Sequence, residues 1–187
     1  MLISICYLVI KGMLHTQTDG SIKLLDVIDE QRMSHLYEKF ILEYYRREWK
    51  CLNVSASQIP WALDNEYDEM LPVMQSDIML EYGYKTLIID AKYYAQTMQT
   101  RFDNKTFHSG NLYQIFTYVK NKEAQLLDKP HEVYGMLLYA KTDEEVALNN
   151  VYKMSGNTIS VLTLDLNKDF SQIREQLDDI VKKYLMD

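Results

Sequence analysis

The sequence is poor in the features that would place it in several broad classes. Its 187 residues contain two cysteines, Cys6 and Cys51, and no CxxC pair. That is too little for a disulfide framework, so a reducing cytoplasm is the expected setting. The four histidines, His15, His35, His108 and His131, show none of the spacings of a zinc site. There is no Gly/Ser linker, internal repeat or low-complexity tract, which leaves one domain over residues 1–187. The apolar run in "MLISICYLVIKG" is about ten residues long, whereas a bilayer takes roughly 20. It also lacks the basic start and A-x-A-like end of a signal peptide. A buried helix over residues 2–13 is expected instead, and no membrane. The chain opens straight into this element, as a fragment of a longer protein would. Basic residues are outnumbered, 20 Lys and Arg against 27 Asp and Glu, for a net charge of −7. A dedicated nucleic-acid binder usually shows the opposite balance, although a local groove or a bound cation can override it.

What the chain does have is apolar residues at 47%, charged residues at 25% and 15 tyrosines, a composition that fits a soluble globular domain. Buried tyrosines need partners for their hydroxyls. Leu36, Phe40, Ile41 and Tyr44 form an apolar stripe that predicts a helix from about Asp29 to Arg47, with Asp29 as its cap. "LNVSASQIPW" at 52–61 reads as a strand, and "ALDNEYDE" at 62–69 as an acidic loop. Strand-like residues 73–82 and 85–93 are separated by "YGYK", where Gly83 fits the first central position of a two-residue type II′ turn. Residues 95–108 are polar and irregular. A helix follows at 109–122, capped by Ser109 or Asn111. Strands are then expected at 132–140 and 157–166, and an amphipathic helix at 168–185. The whole is an α/β domain with a central sheet.

The stretch "SDIMLEYGYKTLIIDAKYY" sets charges on an otherwise apolar hairpin. With a Gly83–Tyr84 turn, opposed positions sum to 167, so Ile78 faces Ile89 and Asp77 faces Asp90. Opposed residues share a side of the sheet, and Lys92, two residues on, joins them. Like charges across strands are destabilising. The cluster therefore implies a retained proton, a buried ion pair with Lys92, or a hard divalent cation. Mg²⁺ suits the last, since it takes one or two carboxylates and keeps several waters.

The same stretch resembles the motif of PD-(D/E)xK nucleases, and the wider chain resembles McrC-like nuclease subunits of modification-dependent, 5-methylcytosine restriction systems. "ICYLVIKGML" resembles the helix that precedes the core in that family, "LYEKFILEYY" resembles the helix that carries an additional acidic residue, and "NLYQIFTYV" carries the Q-x3-Y pattern of RecB-like branches. The resemblance implies a restriction-endonuclease-like fold, a central mixed β-sheet flanked by helices, and a metal-dependent deoxyribonuclease. Asp77 and Asp90 would bind the metal, helped by the Ala91 carbonyl, with Glu38 as an additional acid, and Lys92 would be the catalytic lysine. Gln114 and Tyr118 would flank the site and the DNA backbone. Mg²⁺, replaceable by Mn²⁺, would be the cofactor, and DNA and a McrB-like AAA+ GTPase the partners. Arg101, Lys105, Lys120 and Lys122 lie near the site in sequence and are candidates to track phosphates. The family's proline before the first aspartate is Ser76 here, and the N-terminal region that engages the GTPase is expected to be absent. The same residues leave two alternatives open, a non-catalytic subunit on an AAA+ ring and a RecB-like repair nuclease.

Overall fold

Apolar residues occupy both faces of the stretch Lys85–Lys92, and the chain covers both. The computed structural model describes residues 22–65, 67–93, 99–101, 104–141 and 147–186; the expected helix at 2–13 and the turn at 16–21 lie outside them. Helix α1 runs Ile22–Glu48. Strands β1 (Asn53–Ser55), β2 (Gln58–Ile59), β3 (Met74–Gln75), β4 (Ile78–Tyr82) and β5 (Lys85–Lys92) follow. After the short ribbon β6 (Gln99–Arg101) and β7 (Asn104–Thr106) come helix α2 (Ser109–Ala124) and strands β8 (Glu132–Ala140), β9 (Asn149–Met154) and β10 (Asn157–Leu164). Helix α3 spans Phe170–Val181 and continues as a π turn over Lys182–Met186.

Among the described residues the central sheet has six strands in the order β1-β4-β5-β8-β10-β9. The β5–β8 and β8–β10 pairs are parallel and the others antiparallel, so the sheet is mixed. The side-chain period of two divides β5 cleanly. Leu87, Ile89 and Ala91 pack toward α1 and α3, while Ile88 packs toward α2. Two hydrophobic layers result, one on each face of the sheet. Buried tyrosine hydroxyls find acceptors as chemistry requires. Tyr37 donates to the Leu138 carbonyl and Tyr45 to the Leu177 carbonyl, tying α1 to β8 and α3.

Several expected boundaries shift. The helix from Asp29 starts at Ile22, so Asp29 lies within it and does not cap it. The 52–61 strand breaks into β1 and β2, which pair in different sheets. The break is where Ser57 and Ser76 bind each other. The Ser76 amide and hydroxyl both donate to the Ser57 carbonyl, and the Ser57 amide donates back to Ser76 Oγ. The same contact splits 73–82 into β3 and β4. Helix α2 is capped by His108, not by Ser109 or Asn111, and without a side-chain bond. The 95–108 stretch holds the β6–β7 ribbon, which its polar sequence does not announce. Strand β9 lies at the sheet edge with mostly exposed residues, so it carries no apolar alternation to read.

Candidate active site

The β4–β5 register is the one the turn residues dictate. Ile78 pairs with Ile89, Leu80 with Leu87 and Tyr82 with Lys85. Gly83 sits at φ +58, the left-handed backbone that a II′ turn demands of its first central residue. The ladder ends at Ile78. One residue earlier, the Asp77 carboxylate replaces the departed strand, and the Ala91 amide donates to its Oδ2 at 2.8 Å.

Asp90 and Lys92 project toward α2 from the end of β5. Asp90 is buried, 1% exposed, and its Oδ2 lies 2.9 Å from Lys92 Nζ. That oxygen nevertheless lacks a well-aligned hydrogen bond. Burial pushes the Asp90 carboxyl up to about 7; the Lys92 charge pulls it down, and the Asp77 charge and hydrogen bond raise it again. Two of the expected remedies for the crowded charges thus operate together, an ion pair with Lys92 and a bias toward retaining a proton.

Helix α2 completes this side. Lys92 Nζ donates to Gln114 Oε1 at 3.3 Å, and Gln114 Nε2 donates to the Tyr118 hydroxyl at 2.8 Å. Gln114 and Tyr118 are four residues apart and share a helix face. Glu38 arrives from α1, in the layer on the opposite face of the sheet. Burial raises its carboxyl above the usual range and the Asp77 charge raises it further, while bonds from His35 and Ser34 oppose this. Glu38 therefore lies within electrostatic reach of Asp77 around the end of the sheet.

The family model for the McrBC 5-methylcytosine restriction system component matches residues 1–140. The chain belongs to the McrBC family. A curated relative, the type IV methyl-directed restriction enzyme EcoKMcrBC of Escherichia coli K12, is 32% identical over 187 residues, covering 98% of this chain and 52% of the relative. The chain thus spans about half the length of that relative. It is also similar to a chain in a tetradecameric assembly of Thermococcus gammatolerans McrB AAA+ hexamers with bound McrC, with a TM-score of 0.53. That match has 15% identity and covers 79% of this chain and 33% of the other. At that identity the likeness establishes the fold, a mixed sheet flanked by helices of the restriction-endonuclease kind.

In this McrBC-family chain the structure brings Asp77, Asp90, Ala91, Lys92, Gln114 and Tyr118 to one end of the sheet, with Glu38 at its margin. Among the described residues no three His, Cys, Asp or Glu side chains close on a common point for a metal. A hard cation with an oxygen shell does not need three; two carboxylates, a carbonyl and water suit Mg²⁺. The buried Asp90 oxygen without an aligned donor fits such an ion. Of the candidates to track phosphates, Lys120 pairs with Glu123 and Lys122 with Glu81. The side chains of Arg101 and Lys105 lie outside the described residues.

Sequence reading misses two supports. Ser76, 1% exposed, locks the entry to Asp77 through its bonds to Ser57. Asn111 donates to the Tyr139 hydroxyl at 3.0 Å, and Tyr139 is the register partner of Lys92 on β8. The only signal for the first was the serine standing where the family has proline. The second had none, because a polar residue near a helix start reads as a cap.

Among the described residues no helix is long and apolar enough to cross a membrane.

Proposed function

We propose that this chain is the nuclease part of a McrBC-type restriction enzyme, hydrolysing DNA phosphodiester bonds with a divalent cation while a McrB-like AAA+ GTPase loads it on DNA. The observation that carries the reading is the contact chain Asp90–Lys92–Gln114, set beside Asp77 where the hairpin ends. Asp77, Asp90 and the Ala91 carbonyl would hold Mg²⁺ or Mn²⁺, with Glu38 at the edge of the shell. When bound, the ion supplies a Lewis acid for a phosphoryl oxygen and lowers the pKa of a bound water. The water oxygen forms the new P–O bond as one ester P–O bond breaks, and the departing oxygen takes up a proton. Lys92 supplies a fixed positive charge where negative charge builds on phosphate, or orients the water. Gln114 limits where that ammonium can go, and Tyr118 orients Gln114. The test is cleavage of methylated and unmethylated DNA, linear and circular, by the full-length protein with its GTPase and Mg²⁺. Cleavage that EDTA abolishes and Mn²⁺ restores is expected. Cleavage indifferent to chelation would defeat the proposal.

The raised Asp90 carboxyl gives a second test. Its folded value of about 7 exceeds an unfolded value near 4. Between these the folded state holds a proton that the unfolded state has lost. Its stabilising contribution is complete below the unfolded value and is lost as pH rises through the folded one. In EDTA, the thermal midpoint should therefore fall between pH 5 and 8 more steeply for wild type than for Asp90→Asn. Millimolar Mg²⁺ at pH 8 should recover stability in wild type alone, because the ion binds the ionised form. Parallel pH curves for the two proteins would show that Asp90 carries no such coupling.

A further inference from the structure

The solvent face of α1 has a charge pattern at odds with the rest of this acidic chain. Arg32, Lys39 and Arg46 recur at intervals of seven residues, and Lys50 follows in the turn just past the helix end. At 3.6 residues per turn the three helical positions fall within about 40° of one another, in a line along the helix. All are exposed, as are His35 and Arg47, while Tyr37, Ile41 and Tyr44 face the core on the other side. The carboxylates of α1 with described side chains are engaged: Glu38 with His35, Glu43 with Arg46 and Glu48 with Arg174. That leaves Arg32, Lys39, Arg47 and Lys50 without a carboxylate partner among the described residues. Elsewhere Lys120, Lys122, Lys141 and Lys182 are each matched to an acid, while Lys85, Lys129, Lys153, Lys168 and Lys183, which have no carboxylate partner among the described residues, are scattered over strands, connections and the last turn and form no line on one helix.

The stripe also has a definite place relative to the site. On the inner side of the same helix turn Tyr37 donates to the carbonyl of Leu138, the register partner of Ala91, and its ring lies 6.4 Å from that of Tyr93, next to Lys92. From Arg32 to Arg46 the helix rises about 21 Å, the length of roughly six base pairs of duplex. We infer that α1 is a phosphate track, its exposed cations holding the DNA backbone beside the Asp77–Asp90–Lys92 end of the sheet. The occupant is a polyanion of regular spacing, and continuity with the catalytic end favours DNA over an acidic protein surface. The track contacts backbone only, so it adds affinity without sequence preference. This inference rests on the nuclease reading but is tested by binding alone.

The experiment is fluorescence anisotropy of a labelled 20-base-pair duplex with the full-length protein in EDTA, across a salt series. Variants are Arg32→Glu/Lys39→Glu, and Lys153→Glu/Lys168→Glu as a control with the same change of net charge on exposed lysines of the edge strand β9 and the β10–α3 connection. The α1 pair should weaken binding about tenfold or more near 0.1 M salt and flatten the slope of log K against log salt by about 2, one phosphate contact each. The loss should be equal for unrelated duplex sequences, and the control should stay within about twofold of wild type. Unchanged affinity and slope in the α1 pair, an equal loss in the control, or no duplex binding by wild type would each overturn the inference. So would intact DNA binding with lost capture of the purified AAA+ subunit, which would reassign the stripe to a protein partner. The two readings fail separately. Asp90→Asn should bind duplex normally yet not cleave it, whereas a failed track leaves cleavage and its Asp90 dependence in place.

Discussion

Replacing Lys92 with methionine should lower the single-turnover rate of DNA cleavage by about 10²–10³-fold at saturating metal, with duplex binding little changed. The figure is that for removing one preorganised group aimed at developing negative charge. Two features of the site support that role for Lys92. Its ammonium is 2.9 Å from Asp90 and 3.3 Å from Gln114, so it is held from two sides before substrate arrives. Its side chain is 16% exposed, so its charge is poorly screened but accessible. Lys92→Arg should not rescue the rate, because a planar guanidinium cannot occupy the point that an ammonium fills between those partners. Gln114→Ala should cost less, about tenfold, since it frees the ammonium without removing it. A Lys92→Met rate within about threefold of wild type would remove Lys92 from the mechanism.

The second large effect is on folding. Gly135 lies on β8 under α2, and a Cβ built there would stand 2.8 Å from Val119 Cγ2 and 3.0 Å from Ile115 Cγ1. Neither neighbour can easily yield, because each is β-branched and holds one favoured rotamer in a helix. Gly135→Ala should destabilise by about 1–3 kcal/mol, the usual cost of overpacking, and Gly135→Val by more. A lower urea midpoint with an unchanged slope would show it. Relief comes by lifting α2, the helix that brings Gln114 to Lys92, so cleavage should fall with stability. Val119→Ala added to Gly135→Ala should recover part of the loss by clearing the nearer contact. A Gly135→Ala protein as stable as wild type would mean that α2 does not rest on β8 as closely as this.

The site was legible in the sequence to the extent that it depends on one hairpin. A turn with glycine at one position fixes the register, and the register sets Asp77 against Asp90 with Lys92 on the same side. Strand β8 was also plain, since "EVYGMLLYA" is a continuous apolar run and both its faces are buried. Strand β9 and the β6–β7 ribbon were not, because strands at an edge or outside the core need no apolar pattern. The start of α1 was misplaced for a different reason. Its first turns are apolar, with Ile22, Leu24, Leu25, Val27 and Ile28, but Asp29 reads as a cap ahead of the stripe of Leu36, Phe40, Ile41 and Tyr44, and the helix runs through it.

What the sequence alone determined is therefore the local chemistry: which charged groups share a face of the hairpin, and that they must be reconciled there. Tertiary structure decided how they are reconciled. Parallel pairing of β5 with β8 buries Asp90, which raises its carboxyl. The crossover through α2 brings Gln114 from 22 residues away onto Lys92, and α1 carries Glu38 around the sheet end toward Asp77. These contacts depend on how layers stack across a sheet. Residue spacing along one strand can fix a register, but it holds no information about which helix will cover it.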